Sequence, residues 1–320
     1  MPPILSIFFD VCLPILVAIA LGWGLDRIFG FDLKTLVKLN IYLFVPAFIL
    51  VRLSTSPLPS HEGVIVVLFT VGVIASMGAA SWIVALVRRD PPERRASLQL
   101  ATMIYNCGNW GIPLMTLAFG EMGGVVQVFV LATMNLTTFS VGVFLANSGN
   151  PNRRGWLLPM LRQPSPYALL LALAIRAWGN PFLEVAAIWT PLTMLADGLV
   201  GVALITLGVQ LSQTNSPVPR GDLATALIIR LLGGPLIAMG FTWVAGLQGD
   251  LAAILIIGAA APTAVNTALL AHEFGADSKF AAAAVLYSTI GSVLVITTLL
   301  ALLHAGAFFW LGPVSGAPSP

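Results

Sequence analysis

Two stretches of this chain combine residue types that apolar helices seldom hold together. The first is Asn106-Cys107-Gly108-Asn109-Trp110-Gly111-Ile112-Pro113-Leu114, inside an apolar run from about Ala96 to Phe119. Pro113 has no N–H to give, which frees the carbonyl of Asn109. In a helix interior Gly costs about 1 kcal/mol and Pro about 3 kcal/mol relative to Ala. Within hydrocarbon, such backbone groups are tolerated only where protein or a water-filled cavity surrounds them. The stretch is therefore predicted to be a broken helix that lines a site. The second is Gly258-Ala259-Ala260-Ala261-Pro262-Thr263-Ala264-Val265-Asn266, where Pro262 frees the carbonyl of Gly258 and small residues admit another backbone. If the two breaks cross, half-helix N-termini bring N–H groups and positive dipole ends suited to a carboxylate. Asn106, Asn109 and Asn266 add amide donors and acceptors without a buried charge. Gly108, Gly111, Pro113, Pro262 and Thr263 complete the expected substrate-binding set at the breaks.

The elements that must position these breaks are membrane helices. Of the 320 residues, 58% are hydrophobic and 9% charged, and the mean hydropathy is +0.95. These values exclude an ordinary soluble protein. Apolar runs of bilayer length recur along the chain, predicting an all-α polytopic membrane protein. About ten spans are expected, at 5–25, 36–54, 64–87, 96–119, 124–146, 166–179, 188–212, 222–246, 250–271 and 279–306. Ile4 to Leu25 has no basic residue before it and no cleavage site followed by a polar chain, so it reads as a first span. Cys12 and Cys107 form neither a disulfide framework nor a metal spacing.

Orientation follows from the Lys and Arg of the connections. Arg88, Arg89, Arg94 and Arg95 crowd one loop and Arg153, Arg154 and Arg162 another. Arg27, Lys34, Lys38, Arg220 and Lys279 fall on the same side, with Arg52 and Arg176 opposite. The Arg-rich loops are thus expected to face the cytoplasm. Both chain ends would face outside, on the periplasmic side of the inner (plasma) membrane. These basic runs read as topology signals, not as a nucleic-acid surface.

The chain also divides into comparable halves. Phe119-Gly120 and Phe274-Gly275 close the interrupted spans, and Val51-Arg52-Leu53-Ser54 has a counterpart in Val209-Gln210-Leu211-Ser212. The expected organisation is a first five-helix repeat at 1–146, a cytoplasmic connector at 147–165, a second repeat at 166–306 and a tail at 307–320. Five helices per half force the second half in upside down, and matched broken helices in inverted repeats point to a transporter's site. Two charges fall within spans. Asp197 is a candidate for a coupling proton or cation, or for a structural pair. Arg230 is expected to snorkel to the nearby cytoplasmic interface. His272-Glu273 lacks the second His of a zinc protease motif, and no Gly-rich phosphate loop with Lys is present. Neither an enzyme nor a bound cofactor is expected.

With these residues in view, the chain resembles the auxin efflux carrier family, especially its bacterial members. Asn106 with Gly111-Ile112-Pro113-Leu114 resembles that family's fourth-helix motif. Ala261-Pro262-Thr263-Ala264-Val265-Asn266, running into Leu270-Ala271-His272-Glu273-Phe274-Gly275, resembles its ninth-helix motif. The resemblance implies an elevator-type carrier with scaffold and transport domains, a fold shared with bile-acid symporters. It implies a small organic anion as cargo, either an auxin-like monocarboxylate or a dicarboxylate, and a homodimer in the lipid bilayer. By motif, Asn106 would touch the substrate carboxylate and Asn135 would line the same site. Drive by the membrane potential alone and coupling to H⁺ or Na⁺ both remain open. The other readings are a ligand sensor, disfavoured by the short inward loops, and a channel.

Overall fold

The computed structural model describes residues 8–56, 58–147, 161–179, 185–214 and 220–314. The start of the expected first span, Arg153 and Arg154 of the connector and the end of the tail lie outside the described residues. Within them the protein is helical, with no β-strand. The helices are α1 (Leu13–Phe29), α2 (Leu33–Ser54), α3 (Ser60–Val87), α4 (Pro92–Met103), α5 (Cys107–Ala146) and α6 (Pro164–Ala177). They continue as α7 (Ala186–Gln213), α8 (Gly221–Val244), α9 (Gly249–Ala259), α10 (Asn266–Phe274) and α11 (Ser278–His304). Among the described residues, seven helices are long and apolar enough to cross a membrane, while α6 and α9 are shorter and apolar. The long run of α5 folds back on itself at Gly120, whose φ of 61° and ψ of −145° suit a residue without a Cβ.

Helix α1 lies directly on α7, and α2 packs on both α6 and α7. Close approach explains the first contact. Gly22 faces the Ile205 carbonyl and Gly208 faces the Ile19 carbonyl, so a Cβ on either would collide with backbone. At the end of this pair the buried Asp26 carboxylate accepts from the Ser212 hydroxyl and from Gln213 Nε2, the latter at 2.9 Å. The remaining helices form a second packed set, with α3 on α4 and α5, α8 on α9 and α11, and α10 on α11. Ala85, Leu98, Ala101, Leu223 and Phe280 make a small apolar core among them. Above it Arg88 and Arg94 both engage Asp222, and Arg94 Nη1 also meets Asp277 at 2.9 Å. The arginines read as topology signals are therefore also ties between helices.

Helices α4 and α5 are separated by extended chain, and so are α9 and α10. Ile104 adopts φ −97° and ψ 104°, and Tyr105 forms an antiparallel bridge with Thr263. Asn106 N donates to Pro262 O at 2.7 Å, and Ala264 N donates to Ile104 O at 2.9 Å. Each break thus satisfies the backbone of the other, as burial in an apolar medium requires. The first interruption lies upstream of where the sequence places it. Pro113 is the second residue of the α-helical stretch Ile112–Thr137, inside the continuous run of α5. A π-helical turn at Cys107–Gly111 precedes it, and Ile112 N bonds to both Cys107 O and Gly108 O.

Candidate functional site

The crossing of the breaks sorts four helix ends into two pairs. The N-termini of α5 and α10 open on one face, and the C-termini of α4 and α9 converge on the other. The N-terminal face borders a cavity of about 70 Å³. By volume that is room for several waters or a compact molecule of a few heavy atoms. Its walls come from the two N-termini, the π-helical turn of α2 at Asn40–Phe44, the returning arm of α5 and the start of α6. No charged side chain is among its described lining residues.

Asn106 controls the local geometry. Its Oδ1 accepts from Asn109 N at 3.1 Å, capping the turn, and its carbonyl accepts from Gly111 N at 2.9 Å. That cap assigns the amide orientation and leaves buried Nδ2 as a donor with no partner. Across the cavity Asn40 Nδ2 donates to Asn109 Oδ1 at 2.9 Å, while buried Asn40 Oδ1 has none. Asn135 Nδ2 donates to Ser165 Oγ at 2.9 Å, and buried Gln163 Oε1 is likewise unpartnered. Behind the turn, Gln127 Nε2 donates to Cys107 O at 3.1 Å and fixes the floor.

Of the residues expected from the sequence, Asn106, Gly108, Asn109, Asn135 and Asn266 line the cavity. Gly111, Pro113, Pro262 and Thr263 do not. Thr263 turns the other way, its hydroxyl donating to Ala101 O at 2.7 Å and its N–H to Ser288 Oγ at 2.9 Å. Asp197 is also away from the cavity, half exposed and 3.0 Å from Arg52 Nη2. Sequence reasoning did not select Asn40, Gln163 or Ser165. An Asn inside the apolar span 36–54 was a usable signal for the first. The other two lay in a stretch read as a polar connector.

Arg230 corrects a second expectation. It does not snorkel to the interface but is 0% exposed. Nη1 donates to Thr102 O at 2.7 Å, Nη2 donates to Ala259 O, and the guanidinium lies 4.8 Å from the Tyr105 ring centroid. Among the described residues no cluster of His, Cys, Asp and Glu could hold a metal ion.

A polytopic helical protein with two interrupted helices crossing beside a polar cavity has the form of a transporter. Comparison with known proteins agrees. The sequence model of the membrane transport protein family matches residues 7–155 and 153–300. The chain belongs to this family, that of the auxin efflux carriers. It is 26% identical to an uncharacterized transporter of Methanothermobacter thermautotrophicus, over 89% of this chain and 94% of the relative. It is 25% identical, over 92% and 95% of the two chains, to a Rhizobium meliloti protein whose name proposes a malonate transporter. A rice protein named as the probable auxin efflux carrier component 5b is 28% identical over 46% of this chain and 41% of its own length. The protein is a multi-span membrane transporter, and its relatives are transporters, not enzymes.

Proposed function

We propose that this protein is a secondary carrier for a small organic anion, working by alternating access at the crossed breaks. The observation that carries this reading is the cavity between two helix N-termini, lined by amides and with no charged side chain among its described lining residues. A carboxylate there meets positive dipole ends and the Asn106 Nδ2 donor without competing with a fixed anion. The compact cavity and the Rhizobium relative favour a short dicarboxylate over a bulky aromatic acid.

In this reading α1, α2, α6 and α7 form a scaffold, and the helices around the breaks form a transport domain that moves against it as an elevator. The cavity borders both sets, as such a mechanism needs. The two family matches divide the chain within the stretch read as its connector, consistent with ten spans in two inverted five-helix repeats. We place the Arg88–Asp222 side in the cytoplasm and both ends outside the inner membrane, on the Lys and Arg distribution. A homodimer through the scaffold completes the proposal. The test is flux of labelled malonate and indole-3-acetate in proteoliposomes under an imposed potential. Saturable flux of malonate, reduced in Asn106→Ala, is expected. Unchanged kinetics in that variant would remove the site assignment.

A further inference from the structure

The C-terminal face of the crossing poses a problem that the N-terminal face does not. Helices α4 and α9 end there with carbonyls and negative dipole ends aimed at one buried point. Paired half-helix C-termini of this kind are where transporters with broken helices hold a coupling cation. In this chain the point is filled by a side chain. Arg230 gives one Nη to Thr102 O at 2.7 Å and the other to Ala259 O, so a single guanidinium caps both helices. Tyr105, from the first break itself, covers it with its ring at 4.8 Å. Among the described residues no carboxylate forms an ion pair with it. Its charge is balanced by the two dipole ends. A bare buried guanidinium would be prohibitively costly, so these contacts are what hold it charged in place.

The surrounding backbone is shaped for this side chain. Arg230 lies in a π-helical turn, Ile229–Gly233, within α8. The next residue is Gly234, where a Cβ would run into both Ala259 O and Arg230 Nη2. The wide turn and the missing Cβ together let the guanidinium pass between α8 and α9.

We propose that Arg230 is the resident cation of the crossing. It permanently occupies the position that a coupling ion would otherwise fill, so anion movement here needs no Na⁺ or other metal cation at that point. This rests on the carrier reading, and it makes Arg230 a positioning residue, not one that touches the substrate.

The test uses the full chain in proteoliposomes, with malonate as the probe anion and Na⁺, K⁺ or choline as the cation. Wild-type flux is expected to be equal in all three. Arg230→Ala is expected to lose flux by about tenfold or more, the scale of one charge-assisted hydrogen bond. Millimolar guanidinium, and not tetramethylammonium, should then restore both its flux and its thermal midpoint while leaving wild type unaffected. Arg230→Lys should retain more flux in choline than Arg230→Gln, which should resemble Arg230→Ala, because an ammonium keeps the charge but not the two-pronged fork. Na⁺-dependent wild-type flux, an absence of guanidinium rescue, or equal behaviour of the Lys and Gln variants would overturn the proposal. If Arg230→Ala does not fold, the Lys and Gln pair decides. If wild type moves no malonate, the substrate assignment fails by itself. The guanidinium dependence of the thermal midpoint then still decides the role of Arg230.

Discussion

The two faces of one crossing are finished in opposite ways. On the C-terminal face the helix-end carbonyls are capped: Arg230 Nη1 on Thr102 O, Nη2 on Ala259 O, and the Thr263 hydroxyl on Ala101 O, although buried Arg230 Nε has no partner. On the N-terminal face buried polar atoms are left over, namely Asn106 Nδ2, Asn40 Oδ1 and Gln163 Oε1. Unpaired buried polar groups cost stability and are retained where something else must bind them. The closed face therefore holds the breaks together, and the open face awaits a ligand. Mutations on the first should act on stability, with Arg230 changing flux as well, and mutations on the second should act on flux with stability kept.

The largest effect is expected at Gly234. Gly234→Ala puts a methyl against the Ala259 carbonyl and the Arg230 guanidinium, both residues being fully buried. Overpacking of this kind costs about 3 kcal/mol at its upper end. Thermal unfolding in detergent should show a large drop in midpoint, and an unchanged midpoint would mean the closed face is looser than its contacts indicate. Thr263→Val comes next. It keeps shape but strips the donor from buried Ala101 O, at a cost of about 2 kcal/mol for the unsatisfied carbonyl. A similar loss should be seen by the same measurement, with the KM for the anion little changed.

These two positions also mark what the sequence could and could not tell. The breaks were legible because Gly, Pro and Asn are conspicuous against an apolar background, and helix chemistry penalises them locally. Even so, Pro113 drew attention to the wrong end of the first break, since a π-helical turn separates it from Ile104–Asn106. Thr263 was grouped with the substrate side because sequence does not reveal which way a residue turns in extended chain. Arg230 was misread for a related reason. Distance from a span's end says how far a side chain must reach to water, but not that two helix C-termini are nearer. Asn40 and Ser165 come from helices remote in sequence from both breaks, and only packing brings them to the cavity. Local penalties can be read from one chain, whereas convergence between helices cannot.

On the open face, Asn40→Ala sharpens the contrast. It removes an unpartnered acceptor and the donor to Asn109 Oδ1, whose residue is only partly buried and can be hydrated instead. Deleting an unsatisfied polar group is close to neutral for folding. The free Oδ1 cannot bind a carboxylate, so the effect runs through Asn109, which loses the donor that orients it beside the anion. The expected result is a midpoint within a degree or two of wild type and a KM for malonate raised about tenfold, equivalent to about 1.4 kcal/mol. A lowered midpoint with unchanged KM would reverse the assignment and make Asn40 structural.

The smallest effect is expected at Asp197, which belongs to neither face. Its carboxylate is 3.0 Å from Arg52 Nη2, with side-chain exposures of 58% for Asp197 and 30% for Arg52. An exposed pair of this kind contributes about 0–1 kcal/mol and is screened by salt. The pair joins α2 to α7, two helices already in contact along their length, so little else depends on it. Asp197→Asn should therefore shift the thermal midpoint only slightly, and less at high salt than at low. Its flux should keep the pH and Na⁺ profile of wild type, as expected if the crossing carries its own cation in Arg230. A profile that changes in Asp197→Asn would move ion coupling to this pair. The charge of Arg230 would then hold the helix ends together without replacing a transported ion.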